Sequence, residues 1–366
     1  MESKPMLFCD TKTILTYMEA GCRFKLALKI PSIRKAEKAA PLIINRLEIY
    51  ENRLIVNETE YKMKVYRQCQ ADAGLYNGEV DDDSDEYGFK INLDESMQPG
   101  DIKLTHSGNL HRRRKFTQEE LEYDCPEKMN TLPCNHYIRL YVFGSMCQFP
   151  YKNMKMYQLI KRLLTIFLGN RNEASTFKNM IVKDNVLRWP VNLQKPIVPN
   201  IEIGQYYPLK LDALQSIIDS TVPLTSLKVG SPRYLVRISD HPFLRNVEHL
   251  IISNYPSYDF LSDLLSIQTT IVSTTLPISR EFNLYHLIYS LIRKTRPIGV
   301  RFSIPVNYKE DLDKIIDEDL RTIDGVLEKS RNRIKLSVGR DVVAVVQYTR
   351  RDSKNWLEIK TVPKEE

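Results

Sequence analysis

The sequence predicts a mixed α/β chain: an N-terminal helical hairpin and small β-meander, followed by leucine-rich-repeat-like helix–strand units. Three observations predict it. Apolar residues recur at helical spacing between Thr13 and Ile30, and prolines at 31 and 41 interrupt the pattern. Residues 47–66 alternate between apolar and polar with period two. From about residue 153, helix-like and strand-like segments take turns, with strands expected to start near 224, 247, 269 and 298. The expected organisation is a helical segment over 1–45, a meander over 46–150 with a polar insertion at 69–130, and a repeat-like domain over 151–366.

Each element follows from local chemistry. In the first helix Thr13, Tyr17 and Ala20 share a face with Ile14 and Met18 beside them; Asp10 or Thr11 is the expected N-cap and Gly21 the expected stop. A second helix carries Phe24, Leu26, Ala27 and Leu28 up to Pro31, and a third, from Ser32 to Ala39, ends before Pro41. Helices are thus expected at 11–20, 22–30 and 32–39. Leu47–Tyr50, Arg53–Asn57 and Tyr61–Tyr66 read as strands, with Glu51-Asn52 as a turn. Residues 69–101 hold ten Asp or Glu against one Lys, and Asp81–Glu86 has no apolar side chain, so an exposed, mobile loop is expected. A basic cluster, His111–Lys115, follows, and Tyr137–Phe143 restores a strand. Further on come helix 154–168, strand 177–182, helix 211–218, strand 224–229, strand 247–253, helix 258–265 and strand 269–274. Helix 284–292, strand 298–304, helix 312–327 and strands 333–338, 342–348 and 356–362 complete the series.

Composition excludes several function classes. The hydrophobic fraction of 42% and charged fraction of 27% allow a sizeable core. No apolar run reaches the roughly 20 residues that cross a bilayer, and the N-terminus has no apolar signal core. An intracellular, soluble protein of the cytoplasm or nucleus, with no membrane contact, is expected. Six cysteines in 366 residues are too sparse for a disulfide scaffold and read as free thiols. The net charge of +7 is modest for this length, so nucleic acid is not the favoured partner.

Catalytic apparatus is not recognisable. Nucleophile elbows, phosphate-cradling loops and dinucleotide fingerprints are absent from the sequence. Cys125, Cys134, His136 and Cys147 lack the tight cysteine pair of a structural zinc site, so no metal and no cofactor are expected. His249 and His286 sit within regular elements and read as structural. The 111–115 cluster admits three readings: a nuclear-localisation or nucleic-acid patch, a partner for the acidic loop, or a solvated run.

The opening 105 residues carry a resemblance. Asp10–Gly21, Arg23–Ile33, Glu37–Leu42, Val56–Tyr61, Val65–Gln68, Tyr87–Phe89 and Gln98–Ile102 occur in the order seen in a nematode-expanded family of uncharacterised domains grouped with the F-box C proteins. This resemblance implies a helical hairpin that docks on the Skp-type adaptor of a cullin–RING (SCF) ubiquitin ligase, with a C-terminal domain that selects a still unknown protein target. The chain departs from the usual F-box: Pro5 precedes Leu7, and the first tryptophan is Trp189. The outward anchors such docking needs are Ile14, Leu15, Met18, Phe24, Leu26 and Leu28. Their apolar surface exceeds what a two-helix hairpin buries, so it goes into a partner or into the chain's own body. The alternatives are a nucleic-acid binder using the basic patch, and a family member whose hairpin packs on Leu47–Tyr66 and binds nothing.

Overall fold

The first helix starts earlier than its expected cap, Asp10 or Thr11, and the third starts two residues later than expected. The structure, a computed structural model, describes residues 7–68, 77–81, 83, 91, 96–104, 135–151, 154–184, 186–191, 193–205, 208–230, 241–253, 267–275, 284–293, 296–307, 310, 313, 316, 320, 325–351 and 353–364. Helix α1 spans Phe8–Tyr17, α2 Ala20–Lys29 and α3 Arg34–Ala39, the last preceded by a 3-10 turn at Pro31–Ile33. Thr11, Thr13 and Thr16 donate to the carbonyls of Leu7, Cys9 and Lys12, so they sit inside the helix rather than cap it. Gly21, the expected stop, instead lies in the first turn of α2. A Cβ there would come 2.5 Å from Thr59 Oγ1, so close packing explains the glycine. The cap of α2 is Glu19, whose Oε2 accepts from Cys22 N at 2.9 Å.

The chain divides into two compact units, Met1–Val198 with Ala213–Ser220, and Pro199–Asp212 with Thr221–Glu366. In the first, the strands are β1 (Ile43–Ile44), β2 (Leu47–Ile49), β3 (Arg53–Val56), β4 (Thr59–Gln68), β5 (Asn77–Val80), β6 (Ile102–Lys103), β7 (Asn135–Val142) and β8 (Ser145–Pro150). Helix α4 (Met156–Leu168) precedes β9 (Thr176–Phe177), β10 (Asn179–Val182) and β11 (Val186–Leu187). The main sheet runs β10-β2-β3-β4-β7-β8, with β10 parallel to β2 and the other pairs antiparallel. Strand β5 extends the same edge of β4 that β3 begins. Two small pairs, β1 with β9 and β6 with β11, complete the unit.

Period two decides which side of this sheet is core. Tyr61, Met63 and Val65 of β4 are buried, beside Leu54 and Val56 of β3 and Leu47 and Ile49 of β2. Helix α4 buries Met156, Leu159, Ile160, Leu163, Leu164, Phe167 and Leu168, the stripe that helical periodicity generates. At about 1.5–3 kcal/mol per large apolar side chain, that stripe is a principal source of the unit's stability.

One acidic residue departs from expectation. The run at 81–86 reads as a mobile loop, yet Asp83 accepts from the Tyr151 hydroxyl (2.7 Å), Met156 N (3.0 Å) and Tyr157 N (3.1 Å), closing the N-terminus of α4. Burial pushes its carboxyl up, against those three donors. Asp81 is the other described member; the rest of the run, the 111–115 cluster, Cys125, Cys134 and the expected helix 258–265 lie outside the described residues.

The second unit holds β12 (Asn200–Gln205), α5 (Pro208–Ile217, ending in the first unit), β13 (Leu224–Gly230), β14 (Val247–Ile252), β15 (Ile271–Thr274), α6 (Leu284–Arg293), β16 (Arg301–Val306), β17 (Val326–Ser330), β18 (Arg333–Ser337), β19 (Val342–Arg351) and β20 (Lys354–Pro363). Strands β12 to β16 are parallel and adjacent in chain order; β16 then pairs antiparallel with β20, and β20-β19-β18-β17 continues as a meander. The chain is thus mixed α/β with an N-terminal helical region, and sheet dominates it. Of the helix expected at 312–327, the described residues Asp313 and Ile316 are helical and Leu320 lies in a 3-10 turn, while Val326 and Leu327 belong to β17. One buried row, Ile201–Leu227–Leu250–Val272–Phe302–Ile359, runs across the strands in register and forms the apolar face.

Candidate interaction surfaces

The N-terminal helices are fastened to their unit by a buried ion trio. Glu37 Oε1 accepts from Arg23 Nη2 at 3.1 Å and from Arg171 Nη2 at 2.5 Å, and no side chain of the three is more than 3% exposed. Arg23 also donates to the carbonyls of Pro41 (2.6 Å), Glu37 (3.0 Å) and Ala40 (3.2 Å). Arg171 donates to the carbonyl of Phe167 at 2.8 Å, at the end of α4. One carboxylate thus serves two guanidiniums, and backbone carbonyls accept from other N–H groups of both, while the buried Arg23 Nε makes no hydrogen bond. Burial lowers both arginine pKa values, and the Glu37 charge opposes it. Lys38 reaches the carbonyls of Ile166 and Phe167 beside them. Burial, then the Arg171 charge, brings its pKa down to about 8.

Aromatic packing fastens the same segment. Phe24 stacks on Phe167 with ring centroids 4.2 Å apart and planes 1° from parallel, and Tyr61 packs against the same ring at 5.1 Å. Leu15 packs with Ala36 and Ala40, and half-buried Met18 and Ile33 adjoin them. The six expected anchors therefore separate. Leu15 (2% exposed) and Phe24 (1%) are spent inside the unit and offer nothing to a partner. Met18 and Leu26 are half-buried. Ile14 (48%) and Leu28 (41%) face out.

The sequence reading overlooked the other outward residues. Leu7 and Tyr17 are 70% and 87% exposed, and with Ile14 they fall within about 80° of arc around α1. The spacing of 7, 14 and 17 was the available signal. Arg23, Glu37 and Arg171 were also missed, because charged residues separated by up to 148 positions read as surface.

A second surface lies on the other side of the second unit's sheet. Alternation that buries Leu227, Leu250, Val272 and Phe302 turns Ser226, Lys228, His249, Ser273 and Arg301 to the opposite face. There His249 Nε2 lies 2.6 Å from Ser273 Oγ, and Lys228 pairs with Glu202 at 3.2 Å. Glu358 accepts from Arg301 (2.7 Å) and Gln347 (3.0 Å), and Arg351 closes on it as well. Burial opposes ionisation of Glu358, but these donors win and hold its carboxyl below the usual range. Burial, then the Arg301 charge, lowers the His249 pKa. These side chains form three polar groups on one face, and in one of them the Ser273 hydroxyl lies within hydrogen-bond reach of the His249 imidazole.

Among the described residues no group of three His, Cys, Asp or Glu side chains is placed to hold an ion. His136 and Cys147 share a face, but Cys147 pairs with Leu140, four residues along β7 from His136 and about 13 Å away. No described helix is long and apolar enough to cross a membrane.

Comparison with known proteins adds one likeness. No curated protein and no solved structure matches the chain. Residues 155–307, from the start of α4 to the end of β16, match the family model described as a domain of unknown function, DUF3557.

Proposed function

We propose that this chain is a non-catalytic protein-interaction module, an F-box-like or F-box-associated substrate receptor of a cullin–RING (SCF) ubiquitin ligase. Helices α1–α3 recruit the Skp-type adaptor, and the polar strand face of the second unit holds the target. One observation carries the reading: α1 is fixed through its inner side while Leu7, Ile14 and Tyr17 stay exposed on its outer side. An apolar helix stripe that its own body does not cover is the element a helix-in-groove contact uses. The leucine-rich-repeat-like reading belongs to the same proposal. Its support is the sequential parallel order of β12 to β16, the order that a series of strand–crossover–strand units generates.

The test is co-purification of the chain with a Skp-type adaptor, beside an Ile14→Asp, Tyr17→Asp variant. Retention by wild type and loss by the folded variant supports the receptor reading. Equal retention by both, or none by either, overturns it. Leu15 and Phe24 are unsuitable for this test, because an aspartate at either site attacks folding before docking.

A further inference from the structure

We infer that the polar face of β16, β18, β19 and β20 binds an acidic protein segment. This names the target chemistry of the strand face proposed above, and it is testable without any adaptor. Two rows of side chains cross these four strands in register. The first is Lys335–Val345–Lys360–Arg301 and the second Arg333–Gln347–Glu358–Ser303. Arg351 and Lys354, opposite each other on β19 and β20, close the same face.

The charges on this face do not balance. Glu358 is the carboxylate at its centre, with a side chain 3% exposed. Arg301 and Arg351 neutralise it from the flanks, while their own side chains remain 39% and 48% exposed. Glu328 pairs with Lys335 at the rim, where its side chain is 53% exposed. That leaves Arg333, Lys354 and Lys360 without a carboxylate among the described ion pairs of the face. His249 lies one strand beyond β15 in the first row, and after burial the Arg301 charge is the further cause that lowers its pKa. A positive surface over a low-dielectric sheet concentrates anions.

The width suits an extended chain. Four strands about 4.8 Å apart put roughly 14 Å between β18 and β16, the length of about four extended residues. Single-stranded nucleic acid is disfavoured, because it needs several aromatic platforms for stacking, and Trp356 is the one aromatic side chain that register places on this patch.

The experiment is fluorescence anisotropy with the full chain and a labelled dodecapeptide of alternating Glu and Ser. A matched Lys/Ser peptide and a twelve-nucleotide thymidine strand serve as competitors. The Lys335→Glu, Lys360→Glu variant reverses the patch; Arg340→Glu, Arg350→Glu makes the same formal charge change on a turn and on the opposite face. Thermal melts establish that both are folded, and a Lys335→Gln, Lys360→Gln pair replaces the reversal if it is not. The proposal expects the acidic peptide to bind, weakening with salt, at least tenfold more weakly to the patch variant and within twofold of wild type to the control. No binding of the acidic peptide, equal losses in both variants, or tighter competition by the thymidine strand would overturn it. Adaptor co-purification is unaffected by any of these results, so the two readings fail separately.

Discussion

Removing the charge from Glu37 while keeping its shape isolates what holds the N-terminal helices in place. In Glu37→Gln the side chain still offers one oxygen to Arg23 and Arg171, now 3.1 and 2.5 Å away, but two guanidiniums remain with no counter-charge. All three side chains are at most 3% exposed, so water does not take over. Breaking a buried pair from one side costs about 3–5 kcal/mol. The retained acceptor and the carbonyls of Pro41, Ala40 and Phe167 place the expected loss at the low end, about 3 kcal/mol. The assay is urea unfolding followed through Trp189, which is buried in the first unit, in a Trp356→Phe background. A midpoint shift equivalent to less than about 0.5 kcal/mol would refute the reasoning, because that is the range of ordinary surface changes. An Arg171→Met, Glu37→Gln cycle gives the second readout: the losses must be non-additive by more than about 0.5 kcal/mol, since both changes break one contact.

Three further outcomes follow from the same unit. Lys38, with its pKa lowered from 10.5 to about 8, leaves the unfolded chain holding more protons across that window, so stability rises as pH increases from about 8 to 10.5. The gain is about 2 kcal/mol after discounting for the solvent contact the ammonium keeps, and Lys38→Met, followed by denaturation at both pH values, flattens it. Asp83→Ala removes three acceptor contacts from the start of α4 and is expected to cost about 1–2 kcal/mol, read as a lowered melting temperature. Gly100 has φ +88°, and a Cβ there would come 2.7 Å from the Trp189 carbonyl, so Gly100→Ala is expected to destabilise by more than about 1 kcal/mol in the same assay.

Local signals were legible, and long-range ones were not. The β2–β4 meander and α4 follow from alternation at 47–66 and from a helical apolar stripe, because burial on one face imposes each period directly. Strand β12 carried the same alternation, at Ile201 and Ile203, in a stretch too short to stand out beside Pro199. Strand β8 gave no signal at all: its six residues are exposed, and it is held by pairing with β7 rather than by burial. At the candidate site Ile14 and Leu28 face out. Leu15 and Phe24 turned inward because α3 and Phe167, which receive them, come from elsewhere in the chain. Asp83 was hidden by its neighbours, since composition describes the run at 81–86 and not the one carboxylate that reaches α4.

The most direct test of the central claim is hydrogen–deuterium exchange of the full chain with and without a Skp-type adaptor. Adaptor docking on α1 predicts new protection over residues 7–18, with the buried segments around Phe24, Glu37 and Arg171 unchanged. Exchange that is identical in the two samples, or protection that spares α1 and appears elsewhere, would contradict it.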